Sequence, residues 1–392
     1  MKVKAGDNIF RITKFQMLCT GNWPLTKHWP MRWQFYYKLY SYFANFVMYS
    51  SLPGSVTFFL VTLLVEKNSE KAVDLLSYMV ITSLVNIKTF ICNSKKMADL
   101  IEQAIQRGND VSEVYTIVAK SYMKYITALN TFGFAVGAFL YIEYTVEAEM
   151  HIFKHMKAQN SSEDESDFLI HWHPFDTSNH FGLACYIEML RGIYISMNNC
   201  LTQSVINTIM IHSAALFKVL NFNFQNFHYN NMGNQTVANQ YKASKRLKKY
   251  IREHQAIIRY IEKFNKCIQY VLLLEYIVSS LMVASVLIQI LKADRRLFDF
   301  VFAFILIAQL LVLCCNANEI PLQSINIALG IYESHWYRYD KEIQKMVHII
   351  IMRAMKPVSL TIGPFGPLTA KTGLERLKLA YSFMSIMPGE TM

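Results

Sequence analysis

Long apolar stretches separated by polar, basic segments dominate the hydrophobic pattern of this chain. The clearest stretch, Leu39–Val65, contains no charged residue over 27 positions, which is enough for a helix to cross a bilayer with some tilt. Four more stretches of similar length carry few charges, and they are Ala72–Ile91, Tyr122–Val146, Cys267–Leu291 and Phe298–Asn318. The pattern therefore predicts an all-α polytopic bundle of transmembrane helices.

A further stretch, Leu183–Phe217, is apolar but is interrupted by polar and charged side chains. These are Glu188, Arg191, Asn198, Asn199, Gln203, Asn207 and His212. Without a span here the chain would contain a loop of roughly 120 residues, which is improbable in a compact bundle. Polar groups in a spanning helix face the bundle interior or water, so we predict an internal fourth span. The alternative is an amphipathic helix lying on the membrane surface.

Basic residues are distributed unequally between the segments that join these spans. With six alternating spans and a cytosolic N-terminus, the inner segments hold 27 Lys and Arg residues and the outer segments hold 7. Cytosolic segments of membrane proteins carry the excess of Lys and Arg, so this orientation is predicted. The inner segments are 1–38, 92–124, 216–266 and 319–356, and the outer segments are 66–71, 146–182 and 292–297. Asn160 begins a glycosylation sequon on the long outer loop 146–182, and we expect it to be glycosylated.

The composition supports a membrane protein and excludes several other classes. Of the 392 residues, 53% are hydrophobic and 17% are charged, whereas soluble domains carry about 25% charged residues. The net charge of +11 comes from the basic segments between spans, so we predict no nucleic-acid partner. The seven scattered cysteines suggest no disulfide framework. No set of residues resembles a catalytic constellation, so we predict neither an enzyme nor a cofactor.

The outer loop 146–182 is acidic and contains several histidines. Its seven acidic residues either concentrate cations at a pore mouth or keep a surface loop soluble. His151 and His155 have the spacing of metal ligands, and His171 and His173 lie nearby. A zinc site needs further ligands on ordered helices. We therefore interpret these residues as incidental surface histidines and predict no metal site.

The long inner segment 216–266 is basic and is predicted to be a helix that continues into the fifth span. An apolar stripe with helical spacing runs along it, and it consists of Leu247, Ile251, His254, Ile258, Ile261 and Asn265. Either the basic face contacts lipid headgroups or the stripe is a cytoplasmic packing surface between subunits. We favour the second interpretation.

The final segment, 371–387, combines four charges with an apolar, aromatic end. A Lys or Arg at the centre of a lipid-facing helix costs about 2.5–3.5 kcal/mol, so these charges must lie near an end or face water. At helical spacing one polar stripe is formed by Lys371, Glu375, Lys378, Ser382 and Ser385. Ile386, one turn beyond Ser382, is placed to close a water-filled path by dewetting. The segment is thus predicted to line a pore; the alternative is a helix buried against other spans with its charges at the cytosolic interface.

A seventh spanning element of this kind must come in two pieces. The sequence between Met355 and Lys371 contains three Pro and two Gly residues, which end any helix arriving from Ile343–Met355. Seven spans place the C-terminus outside the cell. That orientation is the reverse of a G-protein-coupled receptor.

Four features together resemble a tuning subunit of the insect odorant receptor family. They are the "GNWP" motif at Gly21–Pro24, the inverted seven-span layout, the long outer loop before a polar fourth span, and the ending "PFGPLTAKTGLERLKLAYSFMSI". The resemblance implies an odorant-gated, non-selective cation channel in the plasma membrane of olfactory neurons. It also implies a tetramer formed with the co-receptor Orco, whose chain and inner segment before span five are longer than here.

The resemblance also assigns roles along the chain. It implies a cytosolic segment 1–38, spans one to six within 39–320, a cytoplasmic anchor helix 321–356, and a linker followed by a pore helix within 357–392. Phe383 corresponds to the aromatic residue of the family's terminal motif and Ile386 to the gate. The ending "PGETM" departs from the family pattern.

The family binds volatile ligands between spans two, three, four and six, in the outer half of each subunit. The residues that this implies are Tyr78, Met79, Thr82, Phe134, Ala138, Tyr141, Tyr186, Met189, Ile193, Met197, Phe302 and Ile305. Aromatic and Met side chains make an adaptable apolar lining. The alternatives are a gustatory-type receptor channel, whose Thr-Tyr and Gln-Phe ending is absent here, and a G-protein-coupled receptor.

Overall fold

A computed structural model describes residues 10–23, 30–65, 69–110, 171–177, 180–227, 237–292 and 296–386, together with part of 118–150. Within these residues the chain is almost entirely α-helical, and its only β-type pairing is an isolated bridge between Thr361 and Pro367. The labelled helices are α1 (Arg11–Cys19), α2 (Met31–Leu64), α3 (Ser69–Cys92), α4 (Lys95–Asp110), α5 (Phe181–Gln225), α6 (Val237–Lys292), α7 (Arg296–Glu333), α8 (Lys341–Ala354) and α9 (Ala370–Ile386). The predicted all-α fold is confirmed.

Several of these helices are suited to a bilayer by length and composition. Within the described residues, three are long and apolar enough to cross a membrane, namely Met31–Leu64, Phe181–Gln225 and Ala303–Glu333. Tyr78–Cys92 is a shorter apolar helix. These four segments overlap the predicted first, fourth, sixth and second spans. The predicted fifth span lies in the second half of α6, which begins 30 residues earlier, as expected for a helix that continues through the inner segment.

Helix α5 lies at the centre of the bundle. It packs against α1, α2, α3, α6 and α7. In its most apolar 18-residue stretch, 83% of the residues are buried. The burial contradicts the interpretation of this segment as an amphipathic helix on the membrane surface and confirms that the helix is internal. Several of its polar residues tolerate this position because other parts of the chain supply hydrogen-bond partners for them.

The apolar stripe on α6 packs against the protein's own core. Leu247, His254 and Ile261 are at most 3% exposed, and the His254 ring lies 6.1 Å from that of Phe217 on α5. The neighbouring basic side chains, such as Lys248, are exposed. The stripe is thus a packing surface within one subunit, which corrects the expectation that it lies between subunits.

The segment 321–356, for which a single anchor helix is expected, is divided. Helix α7 ends at Glu333, a short 3-10 helix spans Trp336–Arg338, and α8 follows. Ser334 donates a hydrogen bond from Oγ to the Ile331 carbonyl at 2.7 Å. Side-chain bonding of this kind satisfies carbonyl groups that a helix end leaves unpaired.

A tight turn separates α8 from α9. Gly363 and Gly366 adopt positive φ angles of 50° and 117°, a region that glycine tolerates best. The Leu368 amide donates to the Leu360 carbonyl at 2.8 Å, and the Ile362 amide donates to the Gly366 carbonyl at 2.9 Å. The predicted break before the last helix is confirmed.

Candidate functional site

The residues predicted to bind odorant lie on helices that pack together, but the structure describes only part of their surroundings. Helices α3, α5 and α7 carry them, and α5 packs against both of the others. Thr82 is buried, whereas Tyr78 and Tyr186 are 48% and 61% exposed. The half-buried members are Met79, Met189, Ile193, Met197 and Ile305. Phe134, Ala138 and Tyr141, on the predicted third span, lie outside the described residues, as does the side chain of Phe302, so the pocket stays a prediction.

A buried carboxylate anchors the end of the outer loop to α5. Glu188 is 1% exposed. Its Oε2 lies 2.7 Å from His171 Nδ1 and its Oε1 lies 3.0 Å from His173 Nε2. The His171 amide donates to the same Oε1 at 3.1 Å, and Arg191 Nη1 lies 3.7 Å from it. Three potentially cationic side chains therefore surround one buried carboxylate.

This cluster corrects the interpretation of two histidines. His171 and His173 are 5% and 6% exposed, so they are not incidental surface residues. The Trp172 amide donates to the Gly54 carbonyl of α2 at 3.0 Å, which holds the loop across α2 and α5. Among the described residues, no group of three His, Cys, Asp or Glu side chains is arranged to hold a metal ion. His151, His155 and the sequon residue Asn160 lie outside the described residues.

A buried ion pair joins three helices in the bundle interior. Lys88 of α3 is 1% exposed, and its Nζ lies 3.2 Å from Glu275 Oε1 of α6. Lys88 also donates to Asn199 Oδ1 of α5 at 3.2 Å. Gln203 Nε2 of α5 donates to Glu275 Oε1. Sequence inspection identifies each charge separately but does not reveal the pair, since the two residues are 187 positions apart.

Other polar residues of α5 are paired in the same way. Asn22 of the "GNWP" motif donates from Nδ2 to Asn198 Oδ1 at 2.8 Å. Asn316 of α7 donates to Asn207 Oδ1 at 2.9 Å and accepts a bond from the Tyr125 hydroxyl at 3.1 Å. Buried polar groups are costly unless they are hydrogen-bonded. The polar character of the fourth span is therefore explained by contacts inside the bundle.

One side of the last helix, α9, packs against other helices of the same chain, and the other side is exposed in the single subunit. The Lys371 and Glu375 side chains are 85% and 55% exposed, with Nζ and Oε1 3.9 Å apart. Lys378 and Ser382 are exposed as well, and the Ser382 hydroxyl donates to the Lys378 carbonyl at 2.9 Å. Ser385 and Ile386 belong to the same helix, but their side chains are not among those described.

The packed side of α9 faces α6 and α7. The Arg376 guanidinium carbon lies 3.0 Å from the centre of the Tyr276 ring, and Arg376 Nη1 donates to Ser280 Oγ at 2.8 Å. A Cβ atom on Gly373 would lie 2.9 Å from Cys314 Sγ. Of the four charges in this helix, one therefore faces inward and three lie on the uncovered side.

Long apolar helices around a polar interior, closed by a helix behind a tight turn, define a polytopic helical membrane protein. The chain belongs to the insect odorant receptor family, because the family described as 7tm Odorant receptor matches residues 71–381. This is a family of receptors rather than of enzymes. The resemblance inferred from the terminal motif is thereby confirmed.

Individual relatives are distant in sequence. The chain is 28% identical over 142 residues to Odorant receptor 10 of Aedes albopictus, which covers 36% of this chain and 38% of that protein. It is 26% identical over 145 residues to Odorant receptor Or2 of Anopheles gambiae, with the same two coverages. The chain therefore matches less than half the length of these curated relatives.

The fold extends over the whole length of solved relatives. The structure of the olfactory receptor OR5 from Machilis hrabei in complex with eugenol matches with a TM-score of 0.78 and 15% identity, over 97% of this chain and 98% of that chain. A second structure of the olfactory receptor OR5 from Machilis hrabei matches with a TM-score of 0.78 and 16% identity, over 98% of this chain and 99% of that chain. At this identity the comparison establishes the shared fold.

Proposed function

We propose that this chain is the odorant-binding subunit of a heteromeric, ligand-gated, non-selective cation channel in the plasma membrane of olfactory neurons. The observation that carries the proposal is the uncovered polar side of α9. A single subunit leaves Lys371, Glu375 and Lys378 exposed on a helix of a membrane bundle. Charged side chains facing lipid are costly, so this side must meet water or other subunits. A pore shared between subunits supplies both.

The volatile ligand binds between α3, α5, α7 and the third span, in the outer half of the bundle. The half-buried Met79, Met189 and Met197 supply flexible apolar contacts. Thr82 supplies a hydroxyl that orients a polar group of the ligand. Ligand binding opens the path along α9, which Ile386 closes at rest.

The orientation has the N-terminus in the cytosol and the C-terminus outside. The excess of Lys and Arg in the inner segments supports it. It is tested by glycosidase treatment of the expressed chain. Asn160→Gln is expected to abolish the glycosidase-sensitive mobility shift, whereas substitution of Asn234, which lies in an inner segment, leaves it unchanged. A shift that depends on Asn234 refutes the orientation.

The partner is the co-receptor Orco, in a tetramer. The channel proposal is tested by whole-cell current in heterologous cells that express this chain with and without the co-receptor. A panel of volatiles that includes eugenol is applied, with no GTP in the pipette. We expect a fast inward cation current only when both chains are present. A GTP-dependent second-messenger response from this chain alone would instead support a G-protein-coupled receptor.

The gate is tested in the same cells. Ile386→Ala shortens the side chain that closes the path by dewetting, and the current without odorant is expected to rise. Val65→Ala, an exposed substitution at the end of α2, is the control. An unchanged resting current in Ile386→Ala at normal surface density excludes Ile386 as the gate.

A further inference from the structure

Two neighbouring residues of α6, Glu275 and Tyr276, contact different helices of the bundle. Glu275 contacts Lys88 of α3 and Gln203 of α5, and both of these helices carry predicted odorant contacts. Tyr276 lies under Arg376 of the last helix. Consecutive residues of a helix point about 100° apart. One turn of α6 thus links the predicted odorant-binding helices to the predicted pore helix.

We propose that the buried pair Lys88–Glu275 is a positioning element that transmits displacement of α3 and α5 through α6 to Arg376 on α9. The inference rests on the proposed channel function and deepens it. Neither Lys88 nor Glu275 belongs to the predicted odorant lining or to the pore stripe. Both act by setting the position of α6.

The buried environment makes this pair suited to transmitting movement. Lys88 is 1% exposed and Glu275 8% exposed. Removing one partner of a buried ion pair leaves an uncompensated charge, which is strongly unfavourable. When α3 shifts, Glu275 must therefore follow Lys88, and α6 moves with it.

The Glu275 carboxylate can accept its hydrogen bonds in a second arrangement. Its Oε1 accepts bonds from both Lys88 and Gln203. Its Oε2 is buried, and within the described residues it has no hydrogen-bond partner. Transfer of one donor from Oε1 to Oε2 gives two discrete states with the same number of bonds. A two-state element that both sites bias is a physical basis for coupling between distant sites.

The other side of α6 is positioned to respond. The Tyr276 hydroxyl donates to the Thr372 carbonyl of α9 at 3.4 Å. Arg376 bridges Tyr276 and Ser280, one turn apart on α6. Below this turn, Asn265 Nδ2 donates to Thr361 Oγ1 of the linker at 3.0 Å. The contacts of α6 with α9 thus lie on the C-terminal side of its hydrogen bond to the linker. Movement of α6 at Glu275 therefore reaches α9 directly.

A double-mutant cycle distinguishes transmission from simple structural support. Lys88→Met and Arg376→Gln are made singly and together and expressed with the co-receptor. Half-maximal concentrations are measured with the panel volatile that evokes the largest wild-type current, and surface density is measured by labelling. The thermal stability of the purified complexes is measured in parallel. Among the residues that the structure describes, Lys88 and Arg376 share no partner, so their effects on stability are expected to add.

We expect each single variant to raise the half-maximal concentration about tenfold and the double variant to raise it no further, a coupling within the usual range for linked sites. The charge-reversed pair Lys88→Glu with Glu275→Lys is expected to recover most of the loss. Glu262→Gln and Lys263→Met change exposed charges on the same helix and serve as controls without effect.

Multiplicative effects of the two substitutions on the half-maximal concentration would overturn the proposal and leave the ion pair a purely structural contact. If Lys88→Met does not reach the surface, Glu275→Gln, which keeps the side-chain shape, replaces it in the cycle. Silence of the wild-type complex toward the whole panel contradicts the proposed channel function itself. If the wild-type complex gives a current but the effects of the two substitutions on the half-maximal concentration multiply, only the transmission through α6 is contradicted.

Discussion

The contact between Gly373 and Cys314 predicts how tightly α9 is held against α7. A Cβ atom at Gly373 would lie 2.9 Å from Cys314 Sγ and 3.0 Å from Cys314 Cβ, whereas carbon contacts are most favourable at about 3.5–4.0 Å. Cys314 is fully buried, and its Cβ cannot move unless its backbone moves. Gly373→Ala must therefore push the two helices apart.

Two opposing effects determine the size of the change. Replacing Gly by Ala in a helix stabilises it by up to about 1 kcal/mol. Overpacking a well-packed core costs about 1–3 kcal/mol. Gly373→Ala is therefore expected to lower the stability by up to about 2 kcal/mol. Gly182→Ala is the matched control, because Gly182 also lies in the first turn of a helix and nothing lies within 4 Å of its added Cβ.

The comparison is made by thermal unfolding of fluorescently tagged, detergent-solubilised protein on size exclusion. The apparent Tm of Gly373→Ala is expected to fall by a few degrees, at roughly 2 °C for each kcal/mol, while that of Gly182→Ala stays level or rises. Cys314→Gly removes both close atoms, so the double variant should show a coupling of about 1–3 kcal/mol of the opposite sign. Equal Tm values for Gly373→Ala and Gly182→Ala refute the close packing of α9 on α7.

Three further predictions concern other contacts. Glu188→Gln leaves the partly buried Arg191 without its anion, so we expect a loss of stability of about 3–5 kcal/mol and low surface labelling. Normal labelling and an unchanged Tm contradict the role of Glu188 in anchoring the outer loop to α5. Asn265→Ala removes the side-chain hydrogen bonds between Asn265 and Thr361, and the Tm should fall by the equivalent of about 1–3 kcal/mol, whereas substitution of the exposed Glu262 by Gln leaves the Tm unchanged. Burial lowers the pKa of His254, which precedes the predicted fifth span, to about 4. In the unfolded state His254 binds its proton near pH 6.5, so the stability of the fold decreases as the pH drops from about 7 toward 4. His254→Gln should therefore reduce the decrease of Tm over this pH range. Identical Tm–pH profiles of the wild type and the variant would exclude a contribution from His254.

The polar residues of α5 show what the sequence alone can and cannot predict. Their presence in an apolar stretch indicates an interior helix, because lipid tolerates such groups poorly, and the structure confirms this. Their partners could not be predicted, since they come from remote parts of the chain. Asn198 pairs with Asn22 across 176 positions, and Gln203 pairs with Glu275 across 72. Helical spacing specifies a face but not the residue that meets it.

The stripe on α6 and the loop histidines fail as predictions for a related reason. An amphipathic pattern states that a face needs a partner, but not whether the partner is another subunit or the same chain; here α5 already occupies the face through Phe217. A histidine in an acidic loop is likewise interpreted as solvated until its partner is known. Glu188 lies 15 positions after His173 but on a helix that begins at Phe181, so only the return of the loop over α5 brings them together. In both cases the sequence showed the chemistry of the residue, and the missing information was the path of the chain.

The same limit applies to the predicted odorant pocket, because its walls belong to four separate helices. The pocket is therefore best tested by ligand response rather than by further sequence inspection.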